Sequence, residues 1–135
     1  YAFNQIKKEY DNFYRELLGK GRLPMRSTAK GFWNASIADE VYEAFKRISL
    51  NKFKSFLDIG SGDGKVVFIA SLFCQNAEGI EIDSFLHNKA MQIKNKLALS
   101  LFAFFCILPL LSLTIPALIG IHTLCSPYHS CYYPF

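Results

Sequence analysis

Three observations predict a partial α/β domain: a doubly wound parallel sheet, truncated, with preceding helices and a hydrophobic C-terminal tail. A short apolar run, Phe56 to Ile59, stops at a glycine-rich turn and passes into an apolar helical stretch, giving the order strand, turn, buried helix. A second short strand, Ala77 to Ile82, and a further helix, Phe85 to Leu97, repeat that order, and alternating strands and helices build parallel sheets. Composition then changes abruptly. All 26 Lys, Arg, Asp and Glu residues of the 135-residue chain lie within residues 1–97, and residues 98–135 contain none.

The remaining elements follow from local pattern. Phe3, Ile6, Tyr10, Phe13 and Leu17 recur at spacings of three and four among charged residues, which predicts an amphipathic helix ending near Gly19 and Gly21. A loop is expected from Lys20 to Asn34, containing Pro24 and ending at Phe32 and Trp33. Ser36 with Asp39 resembles a capping box for a second helix, whose apolar face reads Ile37, Val41, Phe45 and Ile48 and which stops by Asn51. Lys54 to Ile59 is the first strand. Lys65 to Cys74 is apolar nearly all round, as expected of a helix packed on a sheet. The organisation is therefore residues 1–33 as helix and loop, 34–97 as a partial nucleotide-fold domain, and 98–135 as an uncharged tail.

The composition excludes several classes. The charged fraction of the first 97 residues is that of a soluble domain, so a wholly disordered chain is ruled out, and four Cys are too few for a disulfide scaffold. A net charge of +4, with basic and acidic residues interleaved, indicates no nucleic-acid partner. The first ten residues include Lys7, Lys8 and Glu9 with no apolar run after them, so no signal peptide is read and the N-terminal domain is expected in the cytoplasm.

The chemistry concentrates in Phe56 to Gly64, which reads F-L-D-I-G-S-G-D-G. A chain that reverses from strand to helix needs residues tolerating positive φ, and a ligand approaches the backbone closely only where no Cβ intervenes; Gly60 and Gly62 suit both demands. The turn opens a helix, where unpaired N–H groups and the positive dipole end are expected to face a bound molecule. Glu81 ends the second strand, and adjacent parallel strand ends lie about 5 Å apart. A carboxylate there can accept hydrogen bonds from both hydroxyls of a ribose.

The third glycine separates two nucleotide-binding layouts. A dinucleotide fingerprint, G-x-G-x-x-G, would require glycine at 65, where this chain has Lys65. D-x-G-x-G-x-G from Asp58 to Gly64, followed by G-I-E-I-D from Gly79 to Asp83, instead resembles motifs I and II of the Rossmann-like class I S-adenosylmethionine-dependent methyltransferases. That resemblance implies S-adenosyl-L-methionine as cofactor. It implies that Gly60, Gly62 and Gly64 shape the loop beside the methionine part, that Asp58 sits near its amino group, that Glu81 holds the ribose and that Ile82 packs on the adenine. The spelling D-I-G-S-G-D-G is similar to that of several protein-lysine methyltransferases, so a protein is one candidate acceptor. The catalytic residue and the acceptor are not named by the sequence, and no metal is implied.

Outside the motif, Phe32 and Trp33 are read either as closing over the cofactor or as a hydrophobic staple against Ile37 or Val41. His87 is expected on a solvated helix face, and Cys74 in the core. The resemblance is expected to end at residue 97. After Asp83 no Asp or Glu occurs, and the 25 residues Leu97 to Ile121 include 19 apolar ones. A helix of that length would span a bilayer, giving a candidate transmembrane segment over 97–121 with Lys89, Lys94 and Lys96 on the cytoplasmic side. The alternatives are an apolar hairpin completing the sheet and a frameshifted tail. His122, Cys125, His129 and Cys131 match no standard zinc spacing. The competing functions are thus a methyltransferase and a non-enzymatic remnant of its fold.

Overall fold

The computed structural model describes residues 1–28, 31–97 and 103–107. Helix α1, Ala2–Gly19, forms where the three-and-four spacing predicts it and buries Ile6, Tyr10, Phe13 and Leu17. Its last turn closes through Lys20, Gly21 and Arg22 N–H groups onto the Leu17 and Leu18 carbonyls, with Gly21 at φ +67°. The expected loop that follows contains an antiparallel hairpin instead. Strand β1, Met25–Thr28, pairs with β2, Gly31–Asn34, in the register Met25 with Asn34 and Arg26 with Trp33. Of these strand residues only Trp33 is buried, so the sequence carries no apolar alternation from which the strands could be read.

Helix α2, Ala38–Arg47, begins one residue later than the Ser36 reading implied, with Ile37 as N-cap and no capping hydrogen bond from a side chain. Asp39 pairs instead with Lys7 of α1 at 2.6 Å. Phe45 is buried and Val41 partly so, while Ile37 and Ile48 lie outside the core. A 3₁₀ turn, Leu50–Lys52, leads into strand β3, Ser55–Ile59. Helix α3, Lys65–Ala70, is shorter than predicted, because turns occupy the stretch up to Cys74. Strand β4, Asn76–Glu81, and helix α4, Ser84–Leu97, follow as expected.

A third strand, β5, Ala103–Ile107, completes a parallel sheet of order β3-β4-β5, in register Glu81 with Ile107 on one side of β4 and Ile59 with Ile80 on the other. This strand corrects the transmembrane helix expected over 97–121, since residues 103–107 are extended and hydrogen-bonded to β4. Among the described residues no helix is long and apolar enough to cross a membrane. The rest of the candidate span, and His122, Cys125, His129 and Cys131, lie outside the described residues.

One hydrophobic core runs between the sheet and α1, α3 and α4, with Ile6, Tyr10, Val67, Phe68, Ile69 and Leu86 fully buried. Helix α3 buries Lys65, Val67, Phe68, Ile69 and Ala70, which explains its nearly continuous apolar sequence. Buried Cys74, with its thiol held up in pKa by burial, sits in this core as anticipated. The other face of β3 is different: Leu57 is 45% and Ile59 is 76% exposed.

Candidate functional site

Register places the site. Because Ile59 pairs with Ile80, the chain leaves β3 at Gly60 beside the end of β4 at Glu81, so turn and carboxylate meet at the same sheet edge. Gly60, Gly62 and Gly64 all have left-handed φ, at +82°, +57° and +82°, so the turn uses the freedom that glycine supplies. Space makes a separate demand. A Cβ on Gly62 would lie 2.6 Å from the Trp33 ring, and one on Gly79 would lie 2.8 Å from Ser61 Oγ. The loop can rest on β4 only because position 79 has no side chain.

The amides of Gly60, Ser61, Gly62 and Gly64 are satisfied within the protein, which corrects the expectation that the turn's N–H groups are unpaired. Gly60 and Ser61 N–H donate to the Ile80 carbonyl at 2.8 and 3.0 Å, and Gly64 N–H donates to the Ser61 carbonyl. Gly62 N–H donates to Glu81 Oε2 at 2.6 Å, while Glu81 Oε1 accepts from Ile82 and Asp83 N–H at 2.8 and 2.7 Å. Glu81 is thus a buried clasp joining loop to strand. A carboxylate offers about four lone-pair sites, so Oε2 retains capacity for a further donor.

A cavity of about 620 Å³ opens against this loop. Asp58, Gly60, Gly62, Glu81 and Ile82 all line it, as do Ser61, Asp63, Val66 and Leu86. Gly64 does not; it is the N-cap of α3. The opposite wall comes from the hairpin through Thr28, Gly31, Phe32, Trp33, Asn34 and, just beyond it, Ser36. Trp33 therefore lies against Gly62 at the cavity, and Ile37, one of the two residues offered for a staple, is 59% exposed. Arg26 holds the hairpin in place, pairing with Asp83 at 3.4 Å while its guanidinium lies 5.0 Å from the Phe85 ring centroid.

The electrostatics divide the carboxylates. Burial, aided by the negative charges of Glu81 and Asp63, pushes the Asp58 carboxyl up to about 6, and among the described residues no hydrogen bond reaches it. Asp63 is also raised by burial, but it accepts from Tyr14 OH at 2.5 Å and from Lys65 N–H at 3.2 Å. A cavity lined by an ionisable carboxyl lacking a protein partner suits a cationic group. Around Gly60 the space is open, with no atom within 4 Å of where a Cβ would stand. An amino-acid or nucleoside portion of a ligand can therefore reach the backbone there.

Sequence reasoning missed Ser61 and Asp63 as cavity residues, although both stand inside the motif; it treated them as spacers. His87 departs from its expected solvated position, since it is only partly exposed and its Nδ1 is buried with no hydrogen-bond partner among the described residues.

This arrangement of glycine turn, strand-end acid and parallel sheet is that of the cofactor half of a class I S-adenosylmethionine-dependent methyltransferase. The sequence profile of the family described as histone methylation protein DOT1 matches residues 7–107, more than half of the chain, and the chain belongs to that family. Its cofactor is S-adenosylmethionine. The match also runs past residue 97, where the resemblance was expected to end, and takes in β5. No curated protein sequence matches the chain. Among solved structures, it is similar to an RNA methyltransferase from Salinibacter ruber in complex with S-adenosyl-L-homocysteine, at 24% identity and TM-score 0.49, covering 58% of this chain and 52% of that one. It is also similar to YjhP from E. coli, at 23% identity and TM-score 0.42, covering 52% of this chain and 29% of that one. The chain therefore spans about half the length of the first of these proteins.

Proposed function

We propose that this chain binds S-adenosylmethionine in the cavity between the glycine loop and the hairpin and serves methyl transfer to a protein side chain, a lysine amine being the favoured acceptor. The observation that carries the reading is Asp58, a largely buried carboxyl at the cavity with no protein donor, beside a second acid. Such a pair is unfavourable until a cation arrives, and the ammonium group of the cofactor is one. Asp58 would hold that ammonium, Glu81 Oε2 would accept from the ribose, and Ile82 and Leu86 would offer apolar surface to the base. When bound, the cofactor supplies an electrophilic methyl group on a positively charged sulfur. The residues of the chain contribute binding and orientation, and Trp33 with Phe32 limits water on the hairpin side. The lysine assignment draws on the family's description and on the spelling of the loop.

Calorimetric titration of the full chain with S-adenosyl-L-homocysteine tests binding. Saturable heat is expected, and its absence from a protein shown folded by circular dichroism overturns the proposal. A second reading is a binding domain without transfer activity, since the chain spans about half the length of the first methyltransferase it resembles. Label transfer from radioactive cofactor to lysine-rich peptides separates the two.

A further inference from the structure

Helix α1 contributes no residue to the cavity wall, yet it is bonded to the middle of the glycine loop. Tyr10 and Tyr14 stand four residues apart on α1 and so share one face. Tyr10 OH donates to the Asp63 carbonyl at 2.7 Å, and Tyr14 OH donates to Asp63 Oδ2 at 2.5 Å. Asp63 Oδ1 accepts from Lys65 N–H, so both carboxylate oxygens and the peptide oxygen of one residue are held. Lys65 closes the arrangement: its Nζ lies 4.4 Å from the Tyr14 ring centroid and donates to the Ser36 carbonyl, tying in the chain just after the hairpin.

Position matters here because Asp63 sits between Gly62 and Gly64, each in a left-handed conformation. Glycine on both sides gives that peptide, like the one at Ser61, unusual conformational freedom, and freedom lost on binding weakens affinity. We propose that Asp63, fixed by Tyr14 and Tyr10, is a positioning residue that preforms the glycine loop, so that α1 is part of the cofactor site without touching the cofactor. The proposal rests on the cofactor reading above, and it predicts where its own failure would show.

The test compares full-length wild type with Tyr14→Phe, which keeps the ring and removes only the hydroxyl. The expected result is about tenfold weaker binding of S-adenosyl-L-homocysteine, together with faster amide exchange at residues 62–65 of the ligand-free protein. A control, Leu50→Val, loosens the core at a distance from the loop and is expected to lower the melting temperature with unchanged affinity at 20 °C, a separation that a merely structural role for Tyr14 would not produce. Tyr14→Phe combined with Asp63→Ala should weaken binding no more than the larger single change, because both act through one contact. Wild-type affinity and exchange in Tyr14→Phe, or fully additive losses in the double variant, overturn the proposal. If wild type itself binds no S-adenosyl-L-homocysteine, the cofactor reading fails, and the exchange comparison still decides whether Tyr14 holds the loop.

Discussion

Asp58, at the end of β3, and Asp63, in the loop that follows, are both raised in pKa by burial, and they stand in opposite circumstances. Asp63 also lines the cavity, but its carboxylate and carbonyl bond to two tyrosines and a lysine amide, and every oxygen it offers is taken. Asp58 lines the cavity with no donor among the described residues and with Glu81 for a neighbour. The first is a finished structural joint. The second is a group destabilised by burial that has no donor among the described residues, and the contrast separates the two acids more sharply than the glycines do.

The largest effect is expected at Glu81, which serves both sides. Glu81→Ala strands the N–H groups of Gly62, Ile82 and Asp83, and a buried donor left unpaired costs about 1–3 kcal/mol. Urea denaturation should register a loss of about 3 kcal/mol or more, with the glycine loop no longer held to β4. A loss below about 1 kcal/mol would mean that the clasp is dispensable.

Asp58→Asn should act in the opposite direction on stability. In the folded protein the Asp58 carboxyl keeps its proton up to about pH 6, whereas its ordinary value is 3.8. Between those values the folded state binds more protons than the unfolded chain, so the contribution of this group is favourable at low pH and is lost as pH rises through about 6. At pH 7 the substitution is expected to stabilise the ligand-free protein by up to about 3 kcal/mol and to flatten stability between pH 4 and 6, in the order of magnitude set by about 1.4 kcal/mol per pKa unit. It should at the same time weaken S-adenosyl-L-homocysteine binding. Wild-type affinity should fall as pH drops below about 6. Asp58→Asn that is less stable than wild type at pH 7 would break the comparison.

Gly62→Ala tests the loop between the two acids. The new Cβ meets the Trp33 ring at 2.6 Å and must also adopt φ +57°, so a loss of about 1–3 kcal/mol is expected, with quenching or shift of the single tryptophan's fluorescence as Trp33 is displaced. The smallest effect belongs to a carboxylate outside the site altogether. Asp39→Ala removes the ion pair with Lys7, whose partners are 63% and 33% exposed, and thermal denaturation should show less than about 1 kcal/mol of change. Together these place burial and partnering, rather than charge, as the cause of the contrast.

Much of the molecule was legible along the chain because its information is local. The periodicity of α1 names its buried residues, and the glycines with the apolar run Phe56 to Ile59 mark the turn and the strand before it. Glu81 was legible as the end of the next strand. The hairpin of β1 and β2 was not, since four-residue strands with one buried side chain carry no alternation. Strand β5 was hidden for another reason: an apolar run of that length reads equally as a membrane helix, and only pairing with β4 makes residues 103–107 a strand.

The sequence by itself determined that a glycine turn would follow a strand, that an acid would stand at the next strand end, and which family that pairing resembles, because each depends on residues close together in the chain. Tertiary structure alone decided what the acids are for. Tyr14 reaches Asp63 across 49 positions, Glu81 reaches Gly62 across 19, and Trp33 settles on Gly62 from a hairpin with no motif of its own. Partners so distant in sequence leave no spacing to read, and a carboxylate's pKa and role follow from its burial and its donors, which exist only once the chain has folded.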